Sequence, residues 1–202
     1  MPKIAVLVSG GGTNLQAILD AMENGQLKNT EVKTVISNRK NAYALERAKL
    51  NNIETRCIRP MDFPSKAAYS NLMIEYLESL EVELIVLAGF LLILDEDFIR
   101  HFRNRIINIH PSLIPAFAGD GYYGLKVHEE ALARGVKLSG ATVHLVDEIT
   151  DHGPILYQKA VEVKDMDSPK DLQQRVMEEA EWVLLPKAIS EYEIWSAKLN
   201  NK

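Results

Sequence analysis

The stretch Lys3-Ile4-Ala5-Val6-Leu7-Val8-Ser9-Gly10-Gly11-Gly12-Thr13-Asn14 decides the fold class. Its apolar first half reads as a short buried strand and its three glycines as a turn, which leads into a helix from about Asn14 to Glu23. The same alternation runs on through the first half of the chain. Strands are expected at Val32–Ser37, Glu54–Ile58, Glu83–Ala88 and Arg105–Ile109, with helices near Ala42–Leu50, Lys66–Leu80 and Asp95–Phe102 between them. In Lys66–Leu80 the apolar Tyr69, Leu72, Met73, Tyr76, Leu77 and Leu80 recur at helical spacing. Glu83–Ala88 is almost wholly apolar, as befits a strand buried on both faces. Strands alternating with helices imply right-handed crossovers and a mostly parallel twisted sheet with helices on both faces, an α/β Rossmann-like fold.

After residue 110 the pattern changes. A segment punctuated by glycine and proline, Pro111–Gly124, precedes a helix around Leu125–Arg134. Leu138–Val146 and Ile155–Val163 then read as an antiparallel pair joined by an acidic, glycine-containing loop, so the sheet is expected to be mixed. A long amphipathic helix, Pro169–Ala197, closes the chain, capped by Asp167 or Ser168. No internal repeat, low-complexity tract or linker interrupts the sequence, and residues 1–202 are expected to form one domain.

Composition excludes several function classes. The chain is 47% apolar and 25% charged, with a formal charge of −5 and no dense Lys/Arg run, which argues against a nucleic-acid surface but leaves room for an anionic small molecule. The longest apolar run, Leu84–Leu94, is well short of the ~20 residues that span a bilayer, and the amino terminus is too short for a signal peptide. The single cysteine, Cys57, fits a reducing compartment and is expected to be a core thiol on a strand. A cytoplasmic location without membrane attachment is the default expectation.

Chemistry concentrates in three places. In Arg105-Ile106-Ile107-Asn108-Ile109-His110-Pro111-Ser112, the period-two alternation of a strand puts Asn108 and His110 on one side, and Pro111 stops the strand there. An amide donor and an imidazole at the carboxyl end of a strand sit where α/β sheets bind ligands. The amide can donate to a developing oxyanion and the imidazole can move a proton near neutral pH, a pairing suited to acyl chemistry. Two polar residues capping a strand end would be the plain alternative.

The glycine turn is the second place. Its backbone N–H groups and the helix amino terminus after it make a cradle for a phosphate. Gly10 and Gly12 match the first two glycines of a dinucleotide fingerprint, but Leu15 stands at the third. The second strand ends in Ser37-Asn38-Arg39, without the acid that an NAD site wants, and the loop lacks a Walker lysine. A monophosphate fits better than a dinucleotide. The third place is His144-Leu145-Val146-Asp147-Glu148-Ile149-Thr150-Asp151-His152-Gly153-Pro154, whose acids make either a solvated turn or a cation site. Asp151 stands out because Gly153-Pro154 fixes the chain just after it. A carboxylate beside His110 would raise the imidazole pKa and hold the ring. His101 and His128, on helices, are expected to be ordinary surface or core residues, and His152 is a rival base.

Ser9–Leu15, Ala88-Gly89-Phe90, Asn108-Ile109-His110-Pro111-Ser112-Leu113-Ile114-Pro115 and the span from Val143-His144 through Asp151-His152-Gly153-Pro154 together resemble the phosphoribosylglycinamide formyltransferase family. The resemblance covers residues 3 to about 195. It implies transfer of a formyl group from 10-formyltetrahydrofolate, the co-substrate, to the amine of 5'-phosphoribosylglycinamide in purine biosynthesis, with no metal required. It implies a catalytic trio of Asn108, His110 and Asp151, and a substrate phosphate on Gly12, Thr13 and Asn14. It further implies a folate pocket lined by Leu91, Leu92, Ile93, Leu94, Asn108, Asp147, Glu148, Ile149 and Thr150, with Lys66 near the cofactor. Residues 1–100 would then hold the phosphate, and residues 101–202 the folate and the catalytic groups. In the family an acid on the last helix holds the glycinamide end. Counting back from Pro186 selects Glu181, whereas counting forward from Arg175 selects Ala180. Some relatives have arginine in place of Lys66 and of Leu92, and the stretch Phe117–His128 is longer than in some, leaving Asp120, Tyr122, Tyr123 and Lys126 without a role.

Two relatives would share the trio. A formyltetrahydrofolate hydrolase would use water as acceptor and carry an extra amino-terminal regulatory domain. A methionyl-tRNA formyltransferase would need a carboxyl-terminal nucleic-acid-binding domain and a basic surface. From another class, a nucleotide-binding reductase would use the glycine loop alone, and a silent scaffold would bind without turnover. Partners are therefore expected to be small molecules, with neither nucleic acid nor membrane.

Overall fold

A computed structural model describes residues 1–200. Seven strands form one sheet: β1 (Lys3–Val8), β2 (Glu31–Ser37), β3 (Glu54–Cys57), β4 (Leu84–Leu87), β5 (Ile106–His110), β6 (Leu138–Leu145) and β7 (Ile155–Glu162). Their order across the sheet is β3-β2-β1-β4-β5-β6-β7. The first five run parallel, while β6 is antiparallel to β5 and to β7. The mixed sheet read from the sequence is the sheet observed.

The alternation within β1 shows why the sheet has helices on both faces. Ile4, Val6 and Val8 enter one core and Ala5 and Leu7 the other. Helices α1 (Thr13–Glu23), α2 (Tyr43–Leu50), α5 (Leu125–Arg134), α6 (Pro169–Val176) and α7 (Trp182–Ser190) supply apolar residues to the first core. Helices α3 (Lys66–Ser79) and α4 (Glu96–His101) cover the second. A last helix, α8 (Tyr192–Asn200), comes after α7.

Three expectations are corrected. The single helix expected over Pro169–Ala197 is three pieces. Between α6 and α7 the residues Met177–Glu181 form a π turn, and Glu191 leaves helical geometry at φ −98° and ψ 16° before α8 begins. A π turn is the geometry of one inserted residue, which breaks the 3.6-residue period on which a long-helix reading rests. Cys57 is exposed rather than buried, because β3 is a four-residue edge strand whose residues are mostly exposed. Leu72, at helical spacing in α3, is also exposed. Of the two candidate caps for α6, Ser168 is the one used, in a reciprocal capping box with Asp171.

The strand order reverses between the paired β1 and β4, since the chain leaves β1 towards β2 on one side and later fills β4 on the other. Ligand clefts form outside the carboxyl ends of the strands at such a switch point. Here the glycine turn and the segment after β4 meet: the Ser9 N–H donates to the Gly89 carbonyl at 3.0 Å, and the Leu91 N–H donates to Ser9 Oγ at 2.8 Å.

Gly12 is fixed by packing as well as by its backbone. It caps α1 with φ 73°, and a Cβ placed on it would lie 2.5 Å from Ala44 Cβ of α2. A Cβ on Gly11 meets nothing within 4 Å. Gly12→Ala is therefore expected to cost about 2 kcal/mol or more of stability, from the left-handed conformation and the clash together. Gly11→Ala should stay within about 0.5 kcal/mol. Urea unfolding of both variants checks this, and equal losses would refute the packing role assigned to Gly12.

Candidate active site

Asn108 and His110 lie on β5 with their side chains on one face, and the antiparallel register with β6 puts His144 opposite Asn108 and Thr142 opposite His110. Thr142 fixes the chain beyond Pro111: its hydroxyl donates to the Ser112 carbonyl at 2.7 Å and accepts the Ile114 N–H at 3.1 Å. The loop after β6 folds back over this face. Its return is pinned where the Leu145 N–H donates to the Pro154 carbonyl at 2.8 Å. A Cβ on Gly153 would stand 1.9 Å from the Leu145 carbonyl oxygen, so only glycine lets the loop close this tightly.

That closure delivers Asp151. One carboxylate oxygen, Oδ2, lies 3.3 Å from His110 Nδ1 and accepts the Gly119 N–H at 3.0 Å. The other, Oδ1, lies 3.4 Å from Asn108 Nδ2 and 3.5 Å from His144 Nε2. Burial pushes the Asp151 carboxyl up, but His144, His110 and the Gly119 N–H together hold it below its ordinary value. The other acids of the loop point elsewhere. Asp147 accepts from the Ile149 N–H and pairs with the exposed His152, and Glu148 pairs with Arg103. Asp151 is thus the acid brought to His110, and His152 stands away from it.

At His110 the expected effect of the carboxylate meets a larger opposing one. Its ring is almost wholly buried, with Nε2 2.8 Å from the Phe117 carbonyl oxygen. Burial lowers its pKa more than Asp151 and the Phe117 carbonyl raise it, and nearby His144 lowers it further, so the net direction is downward. The carboxylate acts as expected, but desolvation outweighs it. His128, fully buried on α5, is pushed to about 4 by burial and by His110, and neither ring nitrogen has a partner. His101 is exposed and pairs with Glu78.

At the glycine turn, Gly10, Gly11 and Thr13 are exposed at the amino terminus of α1, and Arg47 of α2 donates to the Gly11 carbonyl at 2.9 Å. Asn14 is turned inward. Its Nδ2 donates to Glu181 Oε2 at 2.6 Å, and its Oδ1 is buried without a partner. Glu181 is buried in the π turn, and burial pushes its carboxyl up to about 7 against the lowering effect of the Asn14 hydrogen bond. The π turn lies between Arg175 and Pro186, the two residues from which the counts along this helix are taken. Glu181, not the apolar Ala180, carries the buried acid.

The remaining residues line the edges. Leu91 and Ile93 are exposed after β4 and Leu94 is buried; Ile149 and Thr150 are exposed in the loop after β6. Lys66 borders a cavity of about 350 Å³ with Ile93 and Leu94. Thr150 donates to Asp120 at 2.9 Å, and Lys126 lies 5.9 Å from the ring centre of Tyr122, so the extended segment 117–128 touches the loop after β6. Tyr123 is exposed. Among the described residues no cluster of three or more His, Cys, Asp or Glu side chains is placed to hold a metal ion. No helix among them is long and apolar enough to cross a membrane. Sequence reasoning set His144 at the head of the third stretch but gave it no role in the site. The signal that finds it is the antiparallel register, which sets the histidine of Val143-His144-Leu145 across from Asn108.

The model of the formyl transferase family matches residues 2–189. The phosphoribosylglycinamide formyltransferase of Escherichia coli (strain K12) is 40% identical over 93% of this chain and 85% of that protein. The trifunctional purine biosynthetic protein adenosine-3 of Drosophila pseudoobscura pseudoobscura is 42% identical over 93% of this chain, which spans only 13% of that protein's length. The crystal structure of glycinamide ribonucleotide transformylase 1 from Symbiobacterium toebii superposes with a TM-score of 0.88 at 42% identity, covering 95% of this chain and 87% of that one.

Two measurements test these electrostatics. Asp151→Asn removes the upward pull on His110, so the His110 pKa, followed by NMR titration, should fall; an unchanged value would separate the two residues, and Asp147→Asn is the control. For Glu181 the folded pKa of about 7 lies above the ordinary 4.5. Its contribution to stability is therefore complete below 4.5 and lost as pH rises through 7. Glu181→Gln, neutral throughout, should be favoured over the wild type above neutrality by on the order of 3 kcal/mol and by little in acid. Unfolding free energies that change in parallel with pH in the two proteins would refute the raised carboxyl.

Proposed function

The chain belongs to the formyl transferase family, and from that premise we propose that it transfers the formyl group of 10-formyltetrahydrofolate to the amine of 5'-phosphoribosylglycinamide. The observation that carries this reading is the convergence of Asn108, His110 and Asp151 at the carboxyl end of β5. The amine nitrogen attacks the formyl carbon, and the bond from that carbon to the folate N10 breaks. Asn108 donates to the carbonyl oxygen as it gains charge, a contribution of ~3 kcal/mol for donors of this kind. His110, held neutral by burial, takes the proton that the attacking nitrogen sheds and returns it to N10 as that nitrogen leaves. Asp151 keeps the ring in place and supports its transient charge.

The substrate phosphate sits on the free N–H groups at the start of α1, among Gly12, Thr13 and Asn14, and Glu181 receives the glycinamide end. The folate lies across Leu91, Leu92, Ile93 and Leu94 and the loop of Asp147, Glu148, Ile149 and Thr150, with Lys66 towards its tail. The reactants are small molecules of a cytoplasmic pathway, the reaction calls on no metal, and residues 1–202 act as one domain.

The test is formyl transfer from 10-formyltetrahydrofolate with phosphoribosylglycinamide present and absent. Turnover should depend on the amine; equal formate release without it would mark a hydrolase. Asn108→Ala and His110→Ala should each lower kcat by ~10²-fold or more, with both KM values within a few-fold. Gly11→Ala adds a methyl in open space on the turn beside the cradle, and should raise KM for the ribonucleotide alone. A rise in both KM values, or in neither, would remove the phosphate from this loop.

A further inference from the structure

We infer that His144 is a positioning residue that fixes which end of the Asn108 amide faces the reacting carbonyl, an inference that rests on the formyl-transfer reading. The β5–β6 register sets the two side chains directly opposite each other, and the His144 ring is 1% exposed. His144 Nδ1 lies 2.8 Å from the Leu145 carbonyl oxygen. A carbonyl brings no hydrogen, so the proton of the neutral ring is on Nδ1 and Nε2 is a bare acceptor. Nε2 stands 3.1 Å from Asn108 Nδ2.

A second acceptor reinforces the choice. Asp151 Oδ1 lies 3.4 Å from the same Asn108 nitrogen and 3.5 Å from His144 Nε2. Were the amide reversed, its oxygen would face a bare nitrogen and a carboxylate, three acceptors with no hydrogen among them. The NH2 end is therefore held in place, one hydrogen on His144. The second hydrogen has only the long contact to Asp151, which leaves it to serve the oxyanion. A His144 protonated at Nε2 would instead ask for the amide oxygen, and the site would lose its donor. The groups facing this arrangement are Asp151 from the loop after β6 and His110 from β5. His144 touches neither reactant and acts through Asn108.

Kinetics and NMR test this together. His144→Leu, which cannot accept, should lower kcat by about 10- to 100-fold with both KM values within ~3-fold. His144→Gln offers an acceptor oxygen and should recover part of the loss. In an Asn108→Ala background the same His144→Leu change should cost less than ~3-fold, because no amide remains to be oriented. Equal losses in both backgrounds would overturn the inference. Nitrogen-15 NMR of the wild-type ring gives a readout that survives even if the leucine variant fails to fold. An unprotonated Nε2, whose shift changes in Asn108→Ala, is expected, and a protonated Nε2 in the wild type at neutral pH would overturn it. Absence of formyl transfer in the wild type would instead sink the functional reading and leave the ring measurement standing.

Discussion

A single carboxylate with a low-dielectric address sets the terms for the rest of the site. A buried charge is tolerated only where donors surround it. Asp151 finds the Gly119 N–H from the segment after β5 and the Asn108 amide from β5, and it lies beside the His110 ring of β5 and the His144 ring of β6, three separate pieces of chain. Each of those pieces has to be held to within a few tenths of an ångström. The tight return at Gly153 and the hydroxyl of Thr142 are the devices that hold them. The division of the two oxygens matters as well. One faces the His110 imidazole, and the other faces Asn108 and His144.

How much of this is legible in the sequence depends on the distance over which a pattern acts. The glycine turn, the βα alternation and the shared face of Asn108 and His110 are local, set by period and by proline, and they are readable. Asp151 is half-readable, because Gly153-Pro154 marks a fixed point without saying what it is fixed against. His144 is not readable before the register of β6 on β5 is known, since its partner lies 36 residues earlier. The exposed Cys57 escaped because an edge strand and a central one look alike over four residues. The net direction at His110 escaped because desolvation is a property of the packed site and leaves no mark in the residues beside it.

A second buried acid organises the other end of the cleft. Among the described residues Glu181 has one strong partner, the Asn14 amide, and no cation beside it, which is why burial decides its ionisation. The contact ties the first turn of α1 to the start of α7. These two helices also pack on each other, so the turn at Gly12 and the carboxyl of Glu181 share one packed unit. Arg47 completes the frame by holding the Gly11 carbonyl and Gln16 from α2.

The π turn over Met177–Glu181 has a meaning for descent as well as for geometry. An inserted residue rotates everything after it on an α-helix by about 100°, enough to swing a buried acid out of its pocket. Taking up one residue in a wide turn lets α6 and α7 both keep apolar residues on the core, with Glu181 held on Asn14 between them. Gain or loss of a residue is therefore nearly invisible to the rest of the protein if it falls here, and disruptive a turn away on either side.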